Sequence, residues 1–374
     1  MTTRALLFSI AAIAALAPAC KKEPKATPGG GSDQGSAAAG PPRPRPSQQP
    51  LPQMPALVLP DDAKRAEKIA LGHALWFEKR LSGGTDRSCY SCHANEDGNG
   101  GATPVAIGSG GKTLTRHSPV IWNVGYWNNA GYWDGRAKTL EDNAKGAWGL
   151  ANMGAAPGAD TPEKITAALD AKAAEVAAIP ELKPLFEAAY PGTPIKTDSV
   201  TSALAEYMRT LICKDTAYDK FAAGDKTALS EEQQRGLDLF LGKGKCATCH
   251  APPFFSTAMG VEGGAYFNVG IGTSGVPEDK VDIGRMKVSN KPEDWAAFKP
   301  PSLRNVAKSP PYFHDGSVGR LEDAVKLMAS GGIANKNKSA LLTDAGISDA
   351  ERADLIAFLK GLSCPGTIDP PAAQ

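Results

Sequence analysis

Cys89-Tyr90-Ser91-Cys92-His93 and Cys246-Ala247-Thr248-Cys249-His250 are two copies of one five-residue pattern, 157 positions apart. Two thiols three positions apart can each form a thioether to one porphyrin, and the adjacent histidine then lies beneath the iron as axial ligand. Cys-x-x-Cys-His is therefore the attachment signature of c-type haem. A zinc knuckle would need the four cysteines close together in the chain, and a thioredoxin-like pair would need a strand–helix–strand context that the flanking sequence lacks. The pattern implies two covalently bound haem c groups, one on Cys89, Cys92 and His93 and one on Cys246, Cys249 and His250.

Working outward, a helical segment leads into each copy. Ala66, Ile69, Ala70, His73, Leu75 and Trp76 have the spacing of one helix face and predict a helix over 62–79. Ser230-Glu231-Glu232-Gln233 is a capping box that opens a second helix over 230–241. Further helices are expected over 162–178, 199–211, 321–329 and 348–362, and no segment alternates with period two, so the class is mainly α. Downstream landmarks recur in order. Ser118-Pro119-Val120-Ile121-Trp122-Asn123-Val124 is echoed by Pro301-Ser302-Leu303-Arg304-Asn305-Val306. Tyr132-Trp133-Asp134-Gly135 with Leu140-Glu141-Asp142 is echoed by Tyr312-Phe313-His314-Asp315-Gly316 with Leu321-Glu322-Asp323. The chain reads as a duplicated unit: two tandem c-type cytochrome domains with long loops, one haem in each, over 56–200 and 201–374.

Ahead of them, Arg4 precedes an apolar run over 5–17 that is too short to span a membrane, and residues 1–19 read as an export signal. Leu16-Ala17-Pro18-Ala19 before Cys20 looks like a bacterial lipoprotein cleavage site, although Ala17 stands where leucine is usual; ordinary cleavage, leaving Cys20 an incidental thiol, is the other reading. Residues 23–55 hold nine prolines and five glycines in 33 positions, and 20–55 is expected to be a lipid-anchor cysteine followed by a disordered tether. The chain carries 41 basic and 40 acidic residues, a net charge of +1, which argues against nucleic acid as a partner. The expected location is the periplasm, with membrane contact only through the lipid. With Cys20 lipidated, Cys213 and Cys364 are the cysteines left over, either a disulfide of an oxidising compartment or two buried thiols.

From about residue 56 to 362 the chain resembles the bacterial dihaem cytochrome c peroxidase family, which includes the methylamine-utilisation enzyme MauG. The motifs that carry the resemblance span 88–93, 132–137, 138–141, 209–211, 246–250, 298–306, 311–316 and 321–328. It implies two mainly helical haem domains, of which the N-terminal is peroxidatic and the C-terminal transfers electrons, with Trp133 as the tryptophan between the haems. His93 and His250 would be the proximal ligands. Met328 stands where peroxidase members carry the distal methionine of the C-terminal haem and MauG-like members carry tyrosine; Met259 and Met286 are weaker candidates. The implied reaction is reduction of hydrogen peroxide with electrons from a small cytochrome c or cupredoxin. A MauG-like oxidase of a partner protein and a non-catalytic electron-transfer cytochrome are the alternatives, and a homodimer is an open assembly.

The N-terminal unit departs from the family pattern. Ser109 in Ile107-Gly108-Ser109-Gly110-Gly111 replaces the distal histidine, so the sixth site there should be open or water-bound, with His117 in the same loop as the remaining imidazole. The helper glutamine position reads Asn143, and the catalytic glutamate position falls at Ala151-Asn152-Met153, where Asn152 could hold peroxide without relaying a proton. Glu141 is expected to cap its helix or pair with Arg136. The family's interdomain calcium would take backbone carbonyls of Ser309 and Pro311, with His117 at its asparagine position. Gly270-Ile271-Gly272-Thr273-Ser274-Gly275 and Gly111-Lys112-Thr113 mimic nucleotide motifs but lack their strand, helix and leading-glycine context.

Overall fold

Serines and threonines decide where several of the helices begin. Thr139, Thr161, Thr216, Ser230 and Ser348 each accept a backbone N–H of the first turn through their hydroxyl, and Ser230 and Ser348 complete the reciprocal box with Gln233 and Glu351. In the computed structural model, which describes residues 45–127, 131–260 and 262–372, the helices are α1 Arg65–Phe77, α2 Leu140–Gly149, α3 Pro162–Ala177, α4 Lys183–Ala189, α5 Thr197–Thr210, α6 Ala217–Ala222, α7 Glu231–Leu241, α8 Met286–Ser289, α9 Leu321–Ala329 and α10 Asp349–Lys360. Among the described residues β-pairing is confined to isolated bridges, and no helix is long and apolar enough to cross a membrane. The fold is mainly α.

Two helix crossings organise this fold, and both turn on a glycine. Gly72 of α1 lies against the backbone of α5: a Cβ there would sit 2.0 Å from the Ala203 carbonyl oxygen and 2.9 Å from the Tyr207 Cβ. Gly236 of α7 repeats the contact on α10, with the Asp354 carbonyl oxygen at 2.0 Å and the Phe358 Cβ at 2.7 Å. At such a distance any side chain would force the helices apart. Around the first crossing Leu71, Leu75, Trp76, Val200, Ala203 and Leu204 are buried in one cluster with Trp148, Leu169 and Phe186. Around the second, Leu237, Phe240, Leu355 and Phe358 are buried with Tyr218, Phe255 and Leu362. Burial of each large apolar side chain contributes about 1.5–3 kcal/mol.

The expected division at 200/201 falls inside α5, both halves of which pack into the first cluster; the change of core comes between Cys213 and Thr216. The two units are also stapled to each other. Asn123 and Asn305, equivalent in the repeat, both adopt the left-handed backbone (φ 64° and 66°). Each donates its N–H to a carbonyl just past the last helix of its unit, Leu211 O and Leu362 O. Each also accepts the following cysteine N–H, from Cys213 at 2.8 Å and Cys364 at 3.0 Å. Those cysteines form a disulfide across 151 residues of sequence. A cross-link over so long a loop contributes about 2–4 kcal/mol, mainly by restricting the unfolded chain.

The leader over 1–19, Cys20 and the chain to residue 44 lie outside the described residues. The tether, however, does not extend to residue 55. Ser47 is buried and donates its N–H to Asp238 (2.8 Å), while the carbonyls of Pro52 and Pro55 accept the hydroxyls of Tyr218 (3.0 Å) and Tyr126 (2.7 Å). Prolines in extended backbone leave their carbonyls free as acceptors, and two distant tyrosines take them.

Replacing Gly72 by alanine should cost about 1–3 kcal/mol, the range for overpacking a tight contact. Gly319→Ala, where nothing lies within 4 Å of the added methyl, should leave stability unchanged. Denaturant unfolding of the two variants checks both.

Candidate functional site

In each unit the Cys-x-x-Cys-His segment follows the α1 or α7 helix and folds as a single tight turn. Cys92 N donates to Cys89 O at 3.2 Å, and Cys249 N to Cys246 O at 3.2 Å. The four thiols are half-buried and unbonded. Burial pushes Cys89 up to about 12 and Cys246 and Cys249 to about 11. A reactive redox pair needs the opposite, a thiolate stabilised near neutrality. Among the described residues no group of three or more His, Cys, Asp or Glu could hold a metal ion.

Both histidines are aimed from behind. His93 Nδ1 lies 3.2 Å from the Asn99 carbonyl, and His250 Nδ1 lies 3.1 Å from the carbonyls of both Phe255 and Pro301. A carbonyl only accepts, so in each ring Nδ1 carries the proton and Nε2 keeps its lone pair free for a metal. Burial holds both imidazoles neutral, lowering His93 to about 4 and His250 in the same direction. Repeat-equivalent residues brace the two acceptor loops. Trp122 Nε1 donates to Asn99 Oδ1 at 2.9 Å. Arg304, fully buried and paired with both Asp219 oxygens at 2.7 and 2.8 Å, donates to Pro253 O at 2.7 Å. Unpaired thiols beside a lone-pair-bearing imidazole suit haem c attachment in both units.

Beside His250 opens a cavity with mostly apolar walls. Cys246, Cys249, His250 and Met328 line it, as do Trp133, Phe298 and His314. Met328 belongs to the face of α9 that also presents Leu321, Ala324 and Val325 to this space; Met259 and Met286 do not line it. The expected set around the C-terminal unit is thus brought together, and Trp133 reaches it from the first half of the sequence.

Trp133 is 7% exposed and gripped from both halves: its Nε1 donates to His117 O at 2.8 Å, and its carbonyl accepts Lys299 N at 2.8 Å. The loop that carries it turns through Tyr132 (φ 61°) and Gly135 (φ 70°), where a Cβ would collide with Tyr266. Arg116 fixes the loop's charge. It donates to Asp134 at 2.7 Å and to both oxygens of Asp282 at 2.6 and 2.8 Å. Arg136 pairs with Asp134 and stacks on Tyr132, whereas Glu141 pairs with Arg209 at 2.8 Å and Thr139 caps α2. The expected Glu141–Arg136 pair does not form, because Asp134 two residues away captures the guanidinium first.

The N-terminal distal residues are held by local hydrogen bonds. Ser109 donates its hydroxyl to Asp86 at 2.6 Å and its N–H to the Asn152 carbonyl at 2.9 Å, which pins the 107–111 loop to its neighbours. Asn152 and Asn143 are both half-buried, and the Asn143 carbonyl accepts the Tyr132 hydroxyl. His117 is buried with Nδ1 on Thr103 O at 3.0 Å. Ser309 packs near Gly100 and Pro311 follows a cis bond. Their carbonyls are oxygen donors of the kind a hard dication takes, but His117, buried at the position expected for asparagine, presents ring nitrogens, which such an ion binds poorly.

Asn99, Arg304, Asp219 and His314 were not singled out by the sequence, although the repeat aligned Arg304 with Trp122. His314 is buried, its ring stacked on Phe298 with centroids 3.6 Å apart and edge-on to Trp133 at 6.5 Å. Burial lowers its imidazole to about 4.

A family model described as di-haem cytochrome c peroxidase matches residues 66–227. The methylamine utilization protein MauG of Methylorubrum extorquens is 34% identical over 300 residues, 79% of this chain and 78% of its own. The cytochrome c551 peroxidase of Pseudomonas aeruginosa is 33% identical over 299 residues, 78% of each chain. Among solved structures, a MauG-like protein associated with microbial copper homeostasis superposes with a TM-score of 0.70 at 30% identity, covering 87% of this chain and 96% of that one.

The His314 imidazole is neutral when folded and charged in the unfolded chain below about 6.5, so acid favours unfolding. Its contribution to stability is full above pH ~6.5 and lost as pH falls towards about 4. His314→Gln should therefore flatten the decline of unfolding free energy across that window, measured by denaturant melts at a series of pH values.

Proposed function

The chain belongs to the di-haem cytochrome c peroxidase family, and on that footing we propose that it reduces hydrogen peroxide to water with electrons from a small cytochrome c or cupredoxin. The observation that carries the reading is that Met328 lines the same cavity as His250, with Trp133 leading from that cavity into the N-terminal half. When bound, the two haem c groups supply one-electron storage and the iron that takes up peroxide. Each hydrogen peroxide then consumes two electrons and two protons and yields two waters.

The chain's own residues divide the work. His93 and His250 present Nε2, held in one tautomer by the Asn99, Phe255 and Pro301 carbonyls. Met328 offers a thioether, which favours reduced iron and suits the electron-storing side. Trp133, locked by His117 O and Lys299 N, is the relay between the sides. On the peroxide side, the Asn152 and Asn143 amides can hold and orient an oxygen but cannot carry a proton from one oxygen to the other. Export through residues 1–19 and lipid attachment at Cys20 would place the protein in the periplasm, tethered to a membrane.

A second reading is favoured by the same asparagines: without a carboxylate at Ala151-Asn152-Met153, the protein would pass electrons without turning over peroxide. A MauG-like oxidase of a partner protein is the third, and Met328 in place of tyrosine weighs against it.

Steady-state oxidation of reduced cytochrome c by peroxide separates these readings. The peroxidase reading expects multiple turnovers whose kcat falls in Trp133→Ala while the KM for peroxide holds, since that side chain serves electron delivery rather than peroxide binding. Absence of turnover in the wild-type chain would leave the other two.

A further inference from the structure

Two residues beyond His93, the Asn95 side chain makes both hydrogen bonds of an extended peptide to a residue 273 positions away. Its Oδ1 accepts Ile368 N at 2.9 Å and its Nδ2 donates to Ile368 O at 3.1 Å. Ile368 is 1% exposed and lies in the first core cluster, although it follows α10 of the second unit. The segment 364–369 is tied down on both sides of it. Cys364 is held by the disulfide and by Asn305, and the Asp369 carbonyl lies 2.7 Å from His73 Nε2.

From Asn95 the contacts lead directly to the ligand histidine. Asn99 Nδ2 donates to Asn95 Oδ1 at 2.9 Å and reaches His93 O at 3.2 Å; Asn99 Oδ1 accepts Trp122 Nε1. Asn99 stands at φ 63°, a left-handed conformation that asparagine tolerates better than most residues, with its carbonyl on His93 Nδ1. The second unit solves the same problem with an internal ion pair, Arg304–Asp219, behind the His250 acceptor loop. The first unit instead leans on neutral amides that end on the segment arriving from the second.

We propose that Asn95 is a positioning residue for His93: by clamping the 364–369 segment, it fixes the Asn99 carbonyl that orients and polarises the imidazole. Docking of that segment thereby sets how electron-rich the N-terminal ligand is. The proposal rests on the reading of His93 as an axial ligand. A firm Nδ1–H to carbonyl bond gives the ring more imidazolate character, which strengthens the iron bond and favours the ferric state. Releasing the clamp loosens that bond and reverses both effects.

The test uses the haem-loaded chain with Asn95→Ala and, separately, Ile368→Pro, which deletes the N–H that Asn95 accepts. Resonance Raman of the reduced protein reads the iron–histidine stretch, and potentiometry reads each haem's midpoint. Both variants should lower the stretching frequency assigned to the N-terminal haem and raise its midpoint, while the His250-ligated haem stays at its wild-type values. Should one variant not fold, the other decides. Unmoved band and midpoint in a folded variant overturn the proposal, as do equal shifts at both haems, which would mark general loosening. His93→Gly without added imidazole isolates the underlying assignment. If the wild-type band survives that substitution, His93 is not the ligand and the proposal falls with that reading.

Discussion

Each half of this protein depends on one close helix crossing, at Gly72 on α5 and at Gly236 on α10, where a backbone carbonyl lies only 2.0 Å from where a side chain would begin. The helix that contributes the glycine is the one whose chain continues into the Cys-x-x-Cys-His turn. Fixing the crossing therefore fixes where the two thiols and the histidine emerge relative to the apolar cluster. The loop beyond each turn then comes back to place a carbonyl behind the imidazole, at Asn99 and at Phe255. A residue ahead of the repeat asparagine, Trp122 or Arg304, holds that loop. The same chain of constraint, from glycine to crossing to turn to carbonyl, runs twice.

What joins the halves is built from elements that belong to neither alone. Trp133 is held by His117 O on one side and Lys299 N on the other. Arg116 binds Asp134 of the tryptophan loop, which Arg136 also pairs, and Asp282 from the second half, so one guanidinium bridges carboxylates from both halves. The disulfide between the cysteines clasped by Asn123 and Asn305 links equivalent points of the duplicated unit. An electron path through Trp133 would use a junction that is rigid for structural reasons already.

The spacing of Cys-x-x-Cys-His and the 3.6-residue periodicity of the longer segments were enough to read the mainly α class, the dihaem family and six of the helices. Of the four helices missed, α4, α6 and α8 are 7, 6 and 4 residues long, too few turns for periodicity to rise above background, and the 10-residue α2 carries two glycines. The proline-rich stretch before residue 56 reads as tether by composition, yet its last carbonyls are claimed by Tyr126 and Tyr218, which no local pattern reveals. The repeat did align Asn123 with Asn305 and Trp122 with Arg304. It could not say that one position would be braced by Asp219 and the other by an amide chain reaching Ile368, because those partners lie far off in sequence.

We propose that the two haem sites are unlike: Met328 lines the same cavity as His250, whereas Ser109, at the position expected for a distal histidine, donates its hydroxyl to Asp86. Electron paramagnetic resonance of the fully oxidised, haem-loaded protein tests this most directly. The account predicts one high-spin and one low-spin ferric signal with no prior reduction; two low-spin signals would contradict it.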